Sequence, residues 1–219
     1  MAKAWNNKIF KHIKKEVDQA SVNLAKERGA CPDARQVEIE ERFCNKTAVA
    51  PTASISTICG GTSPGIEPIA GNAFTMKTLS GSANIKNRHL KKLLQDKHRD
   101  NKEVWESIIT NSGSVAHLDC LTDEEKQVFK TAFEIDQNWV IELAADRTPM
   151  IDQSQSLNIF LPANVHKKYL HKLHRKAWEK GVKSLYYCRS LSIQRAESKN
   201  QPEPEKEHKY DTEECLACQ

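Results

Sequence analysis

Three groups of residues in this sequence have types and spacings that bear on chemistry. Cys215 and Cys218, separated by Leu216 and Ala217, stand one residue from the end of the chain. Two thiols at that spacing form an intramolecular disulfide or supply half of a tetrahedral zinc site. The second group is Pro51-Thr52-Ala53-Ser54-Ile55-Ser56, followed by Gly60-Gly61-Thr62-Ser63-Pro64-Gly65-Ile66-Glu67-Pro68. Small hydroxyl residues at a strand-to-helix junction either cap the helix or offer hydroxyl and backbone N–H groups to an anion. The glycines that follow permit close backbone approach. The third is Tyr186-Tyr187, which on pattern alone reads as two strand-forming aromatics. Adjacent strand residues point to opposite faces, so two rings acting together need a strand end or a local distortion.

The elements that must position these groups follow from periodicity. Trp5, Ile9, Phe10, Ile13, Val17, Ala20 and Leu24 have helical spacing, and Gly29 marks a stop. The spacing predicts a helix over residues 5–28 packed on a core. From Thr47 to Gly65 the chain is small, hydroxylated and nearly uncharged. Solvated loops carry charge, so this run implies backbone packed tightly against something. Thr122-Asp123-Glu124-Glu125 is a capping box that opens a helix through Val128, Phe129, Ala132 and Phe133. A further helix is predicted from about Asn164 to Lys180, burying Tyr169, Leu170, Leu173 and Trp178 and ending at Gly181. Residues 182–189 then read as a strand.

Composition narrows the function classes. The 219 residues carry 33 basic and 29 acidic side chains, a net charge of +4 with no long basic run. Nucleic-acid binding gains no support from that balance. No apolar run approaches the ~20 residues that cross a membrane, and no signal peptide opens the chain. The expected location is cytoplasmic, where the seven cysteines stay mostly reduced. Mean hydropathy is −0.66, low for a chain that is folded throughout, and from Ala196 onward apolar residues nearly vanish. Such a segment cannot offset its ordering entropy and is expected to be a disordered tail. A tail of about 25 residues reaches roughly 30 Å. A dithiol of that reach suits carrying reducing equivalents better than closing a zinc site, for which His171 and His174 are the available further ligands.

Several stretches, in order, resemble the large, catalytic subunit of class I ribonucleotide reductases. Arg28-Gly29-Ala30-Cys31-Pro32 is similar to the segment preceding the family's phosphate loop. Pro51-Thr52-Ala53-Ser54 with Gly65-Ile66-Glu67-Pro68 is similar to the loop itself. Asp146-Arg147 and then Ile151-Asp152-Gln153-Ser154-Gln155-Ser156-Leu157-Asn158-Ile159-Phe160 resemble a stretch highly specific to these subunits. Ala177-Trp178, Gly181-Val182-Lys183 and Leu185-Tyr186-Tyr187 continue the resemblance.

The resemblance implies an α/β fold: the C-terminal part of the family's ten-stranded α/β barrel over residues 1–195, then a flexible redox-active tail over 196–219. It implies that Thr52, Ala53, Ser54 and Ile55 hold the substrate diphosphate. Tyr186 and Tyr187 would relay a radical by coupled proton and electron transfer, Tyr187 nearer the small subunit and Tyr186 nearer the thiyl-forming cysteine. Cys215 and Cys218 would re-reduce the active-site disulfide and be reduced in turn by thioredoxin or glutaredoxin. No cofactor or metal is expected on this chain; the family's di-iron tyrosyl radical belongs to the small (beta) subunit. The expected substrate is a ribonucleoside diphosphate.

The family's finger loop, an Asn-x-Cys-x-Glu segment, has no counterpart here. Phe43-Cys44-Asn45 has the wrong order and stands too close to the phosphate loop. The chain therefore reads as the downstream piece of a split or truncated large subunit, inactive alone, with the N-terminal fragment of the subunit as a partner. Cys31, Cys44, Cys59, Cys120 and Cys188 match no catalytic cysteine and are expected to be buried and inert. The competing reading is a non-catalytic redox or binding module that keeps only the tail dithiol.

Overall fold

A computed structural model describes residues 1–59, 63–78 and 81–190, which divide into two compact units. The first comprises Met1–Ala50, Gln137–Ile159 and Val165–Cys188, and the second Pro51–Asp136, Phe160–Asn164 and residues 189–190. Elements are numbered in chain order across both units.

Helix α1 (Ala2–Arg28) opens the first unit and is followed by the short α2 (Pro32–Gln36). α1 ends where the sequence predicts, because Gly29 adopts φ 79° and its N–H donates to the Ala25 carbonyl at 2.8 Å. α1 packs against α7 (Gln137–Arg147), and α7 packs against α8 (Lys167–Glu179). α7 buries Gln137, Val140, Ile141, Ala144 and Arg147, the three-and-four spacing of one helix face. α1 is also tied to the stretch that follows α2. Lys46 Nζ lies 2.7 Å from both Asp18 Oδ1 and Glu41 Oε2. Burial would pull the Lys46 ammonium down, but its two carboxylate partners more than offset this and hold it above its ordinary value.

The second unit contains α3 (Ala53–Ile58), the hairpin β1 (Ala73–Thr78) and β2 (Gly81–Lys86), and helices α4 (Arg88–Asp96), α5 (Lys102–Thr110) and α6 (Asp123–Val128). β1 and β2 pair antiparallel, Ala73 opposite Lys86 and Thr78 opposite Gly81. Leu90 and Leu94 of α4 and Trp105 and Ile108 of α5 form one apolar core with Ala73, Val115, Leu118 and Leu121. Asn72, 1% exposed, organises the loops around that core. Its amide donates to the carbonyls of Gly113 at 3.1 Å and Phe129 at 2.7 Å, and its oxygen accepts from the Asn87 amide at 2.9 Å. Gly113 must be glycine: its φ is +80°, and an added Cβ would meet the Gly71 Cα at 2.4 Å.

Strands β3 (Ile159–Leu161) and β4 (Cys188–Ser190) complete the four strands among the described residues. The expected strand over 182–189 is therefore much shorter than its sequence pattern. The anion loop is preceded not by a strand but by a single parallel bridge, Val49 to Gln155.

Three packing expectations also need correction. Trp5, Ile9 and Ile13 are exposed, and α1 buries only Ser21 and Ala25. Trp178 is 78% exposed, since α8 turns Leu173 and Ala177 inward and Trp178 falls on another side of the helix. α6 has both hydrogen bonds of its capping box but stops at Val128. Beyond it, the Glu134 carboxylate accepts the Thr131 N–H and hydroxyl at 2.8 and 2.9 Å, and Ala132 donates its N–H to Ile69. Those bonds take the backbone out of the helix.

Replacing Asn72 with Ala removes the amide's bonds to the Gly113 and Phe129 carbonyls and the acceptor of the Asn87 amide, and should cost about 3 kcal/mol in urea unfolding. A second prediction concerns acid. The backbone N–H of Thr122 and the ammonium of Lys97 hold the Glu125 carboxyl below its ordinary range. Folding thus favours the ionised form. The resulting stability is present above the ordinary value near pH ~4 and is lost as pH falls through the lower folded value. Glu125→Gln keeps a cap acceptor but no charge, so it should flatten that acid limb in unfolding curves taken across pH.

Candidate functional site

The tyrosine pair sits at the end of a densely bonded backbone layer in the first unit. Residues 151–159 run between two other segments. On one flank, Val49 donates to the Ser154 carbonyl at 3.1 Å and accepts from the Ser156 N–H at 2.8 Å, and Gln153 donates to the Thr47 carbonyl at 3.0 Å. On the other, Lys183 Nζ donates to the Ile151 and Asp152 carbonyls at 3.0 and 2.6 Å, and the Ser184 hydroxyl donates to the Gln155 carbonyl at 3.2 Å.

Beneath this layer lies a buried polar knot. Arg147 is 4% exposed. Its Nε donates to the Gln155 side-chain oxygen, and its guanidinium also reaches Asn6 Oδ1 at 3.3 Å and lies over the Phe10 ring. The Gln155 amide donates to the Ala144 carbonyl and the Thr148 hydroxyl, each at 3.0 Å. Residues that the sequence presents only as a specific string therefore act as internal fasteners.

At Tyr186 and Tyr187 the pairing departs from a regular strand. Tyr186 donates its N–H to the Leu157 carbonyl at 2.8 Å, and the Tyr187 carbonyl accepts the Ile159 N–H at 2.9 Å. The Tyr187 N–H is taken by the side-chain oxygen of Asn158 at 3.2 Å. In a regular strand, neighbouring residues direct their backbone groups to opposite sides. Here both tyrosines address the same segment, a bulge-like distortion. The alternation of side chains is lost with it, and the rings lie 4.1 Å apart between centroids, tilted at 50°. This is the distortion that adjacent rings require in order to act together. Both tyrosines are about two-fifths exposed, so the pair is open to a partner surface.

The anion loop belongs to the second unit. Thr52 commits its polar groups internally, its N–H and hydroxyl both donating to the Pro64 carbonyl, at 2.9 and 3.2 Å. The Ser56 N–H donates back to the Thr52 carbonyl at 2.7 Å and its hydroxyl to the Ala53 carbonyl at 2.7 Å. Ala53, Ser54 and Ile55 thus form the first turn of α3. Ile55 is 57% exposed. Gly65 lets the buried Glu67 carboxylate press against the backbone, because an added Cβ would lie 2.6 Å from Glu67 Oε1. The tight packing expected of the whole uncharged run is confined to this point: among its described residues only Ser56 is buried, while Ile55, Ile58 and Cys59 are exposed.

The remaining sequence candidates divide. Cys215 and Cys218 lie outside the described residues. Among the described residues no group of three His, Cys, Asp or Glu side chains is placed to hold a metal ion, and no helix is long and apolar enough to cross a membrane. His174 turns its Nδ1 to the Leu170 carbonyl at 2.9 Å. The expectation that the other five cysteines are buried is corrected: Cys44, Cys59 and Cys188 are exposed, and Cys31 and Cys120 half-buried. They lie in loops and at element ends, and of the five only Cys120 packs against the second unit's core. Asn158 and Arg147 went unnoticed as individual residues. An asparagine or arginine beside apolar residues gives no signal of which backbone group it will meet.

Comparison with known proteins places these features. The family model described as the barrel domain of ribonucleotide reductase matches residues 35–188, a span that holds both the anion loop and the tyrosine pair. The ribonucleoside-diphosphate reductase large subunit of Invertebrate iridescent virus 6 is 48% identical over 192 residues, 86% of this chain and 20% of that protein. A putative large subunit from Frog virus 3 is 41% identical over 215 residues, covering 96% of this chain and 36% of the relative. The solved class Id ribonucleotide reductase alpha subunit of Actinobacillus ureae matches with a TM-score of 0.79 and 42% identity, over 89% of this chain and 35% of that one. The chain therefore spans about a fifth to a third of the length of these relatives. With its barrel-domain match and its large-subunit relatives, this chain belongs to the ribonucleotide reductase family and corresponds to a C-terminal-like part of the large subunit.

Proposed function

We propose that this chain supplies the downstream part of the catalytic barrel in a ribonucleoside-diphosphate reductase. The observation that carries the reading is the tyrosine pair, two exposed rings held 4.1 Å apart at a break in strand pairing. Strand aromatics that serve only packing would alternate between faces.

In this reading the relay runs through this chain's own phenols. The oxidising equivalent would reach this chain from the small subunit, where a di-iron centre would supply it when bound. Tyr187 gives up one electron and its phenolic proton, and is restored by an electron and a proton from Tyr186. Tyr186 is restored in turn by a hydrogen atom from a cysteine thiol in the upstream part of the barrel. That step leaves the thiyl radical that starts chemistry on the ribose. The substrate diphosphate is held at Thr52, Ala53, Ser54 and Ile55, where the first turn of a helix favours negative charge.

After turnover the active-site cysteines are left as a disulfide. A thiolate of the Cys215–Cys218 pair attacks it, passes through a mixed disulfide, and leaves two active-site thiols and an oxidised tail. Thioredoxin or glutaredoxin then reduces the tail. A cytoplasmic location suits that cycle.

The upstream part of the barrel is a required partner. Its proposed seat includes the α1 ridge of Trp5, Ile9 and Ile13, spaced i, i+4, i+8 and 55%, 49% and 40% exposed. Val37, Ile39 and Phe43 add exposed apolar surface in the same unit. An apolar set of this kind fits a protein surface more naturally than water.

Two experiments test the reading. In a reductase reconstituted from this chain, the upstream barrel part and a small subunit, Tyr186→Phe should abolish deoxyribonucleotide formation while assembly is unchanged. Activity surviving that change would remove the relay. Ile9→Glu should weaken association with the upstream part by about 2 kcal/mol, roughly thirtyfold, as measured by calorimetry. Unchanged affinity would take α1 out of the interface.

A further inference from the structure

We infer that Asn158 is a positioning residue for the tyrosine pair, holding the two rings together by standing in for a backbone acceptor. The inference rests on the relay reading for its functional consequence, but its structural basis is independent of it. Main-chain bonds join Tyr186 to Leu157 and Tyr187 to Ile159. They leave the Tyr187 N–H facing the segment at residue 158, where a regular ladder offers no carbonyl. The Asn158 oxygen fills that gap at 3.2 Å, and the residue is itself buried at 9% exposure.

An apolar side chain there would leave the N–H without this acceptor in a poorly hydrated place. The backbone would gain by rotating toward regular strand geometry, with β4 beginning earlier than Cys188. That rotation sends one ring to the other face. The separation of 4.1 Å would be lost, and with it the short step between phenols. The side chains of the two tyrosines are thus set by a third residue 28 positions upstream of Tyr186, which has no redox chemistry of its own.

The test uses the full chain labelled with 3-fluorotyrosine and read by ¹⁹F NMR. Its four tyrosines give four resonances, and Tyr186→Phe and Tyr187→Phe assign the pair, since each removes the resonance of the tyrosine it replaces. Asn158→Leu keeps the size but removes the acceptor. It should move the Tyr186 and Tyr187 resonances and leave that of Tyr169 in place. In the reconstituted reductase it should lower kcat by about tenfold or more with KM for the diphosphate unchanged. Asn158→Asp retains an acceptor oxygen and should restore both readouts. Wild-type resonances in the Leu variant, or a folded Asp variant that restores neither readout, would overturn the assignment. Should the Leu variant not fold, Asn158→Ser replaces it, since its hydroxyl stops short of the Tyr187 nitrogen, and the same shifts are required. The two readings fail separately. Shifted resonances together with an active Tyr186→Phe enzyme would remove the relay and leave Asn158 its positioning role. An inactive Tyr186→Phe enzyme with normal kcat in Asn158→Leu would remove Asn158 alone.

Discussion

Backbone polar groups removed from water must find partners, and the stretch from Ile151 to Ile159 meets that demand on both flanks at once. Thr47 and Val49 bond it on one side, and Lys183, Ser184 and Tyr186 on the other. Most of its residues are buried or half-buried, so most of these bonds cannot be exchanged cheaply for water. Everything distinctive about the first unit is registered against this segment. Arg147 and Gln155 pin it to α7 and, through Asn6, to α1. The tyrosine pair takes its place from the far end of the same segment.

The second unit relies on a different device. Its helices are short and bury few residues each, so loops carry much of the burden. Asn72 joins three loop segments by one buried side chain, and Gly71 and Gly113 cross at a distance no larger residue allows. The anion loop is likewise shaped by its own small residues. Thr52 and Ser56 spend their hydroxyls on backbone carbonyls, which fixes the turn. Hydroxyl residues here organise the loop.

The exposed apolar residues have a pattern of their own. Trp5, Ile9 and Ile13 form a ridge of a helix that is otherwise charged, and Trp178 stands out from α8. The chain corresponds to a fifth to a third of its relatives' length. Apolar periodicity shows which residues share a helix face but not whether that face is covered. This is why helical spacing located α1 to within a few residues and yet misjudged which of its residues are buried.

The sequence by itself determined the elements whose signals are local: α1 and its glycine stop, the capping box at Thr122, the helix ending near Gly181. Each depends on a few consecutive residues and their own backbone. It also carried the family, through motifs whose order the barrel-domain match over residues 35–188 bears out. Tertiary structure alone decided how far the strand around Tyr187 extends, where α6 stops, and how two adjacent tyrosines come to face the same way. Those outcomes depend on acceptors supplied from distant positions, the Asn158 oxygen for Tyr187 and the Glu134 carboxylate for Thr131. A residue's type shows that it can accept a hydrogen bond, but only the fold brings it within reach of a particular donor.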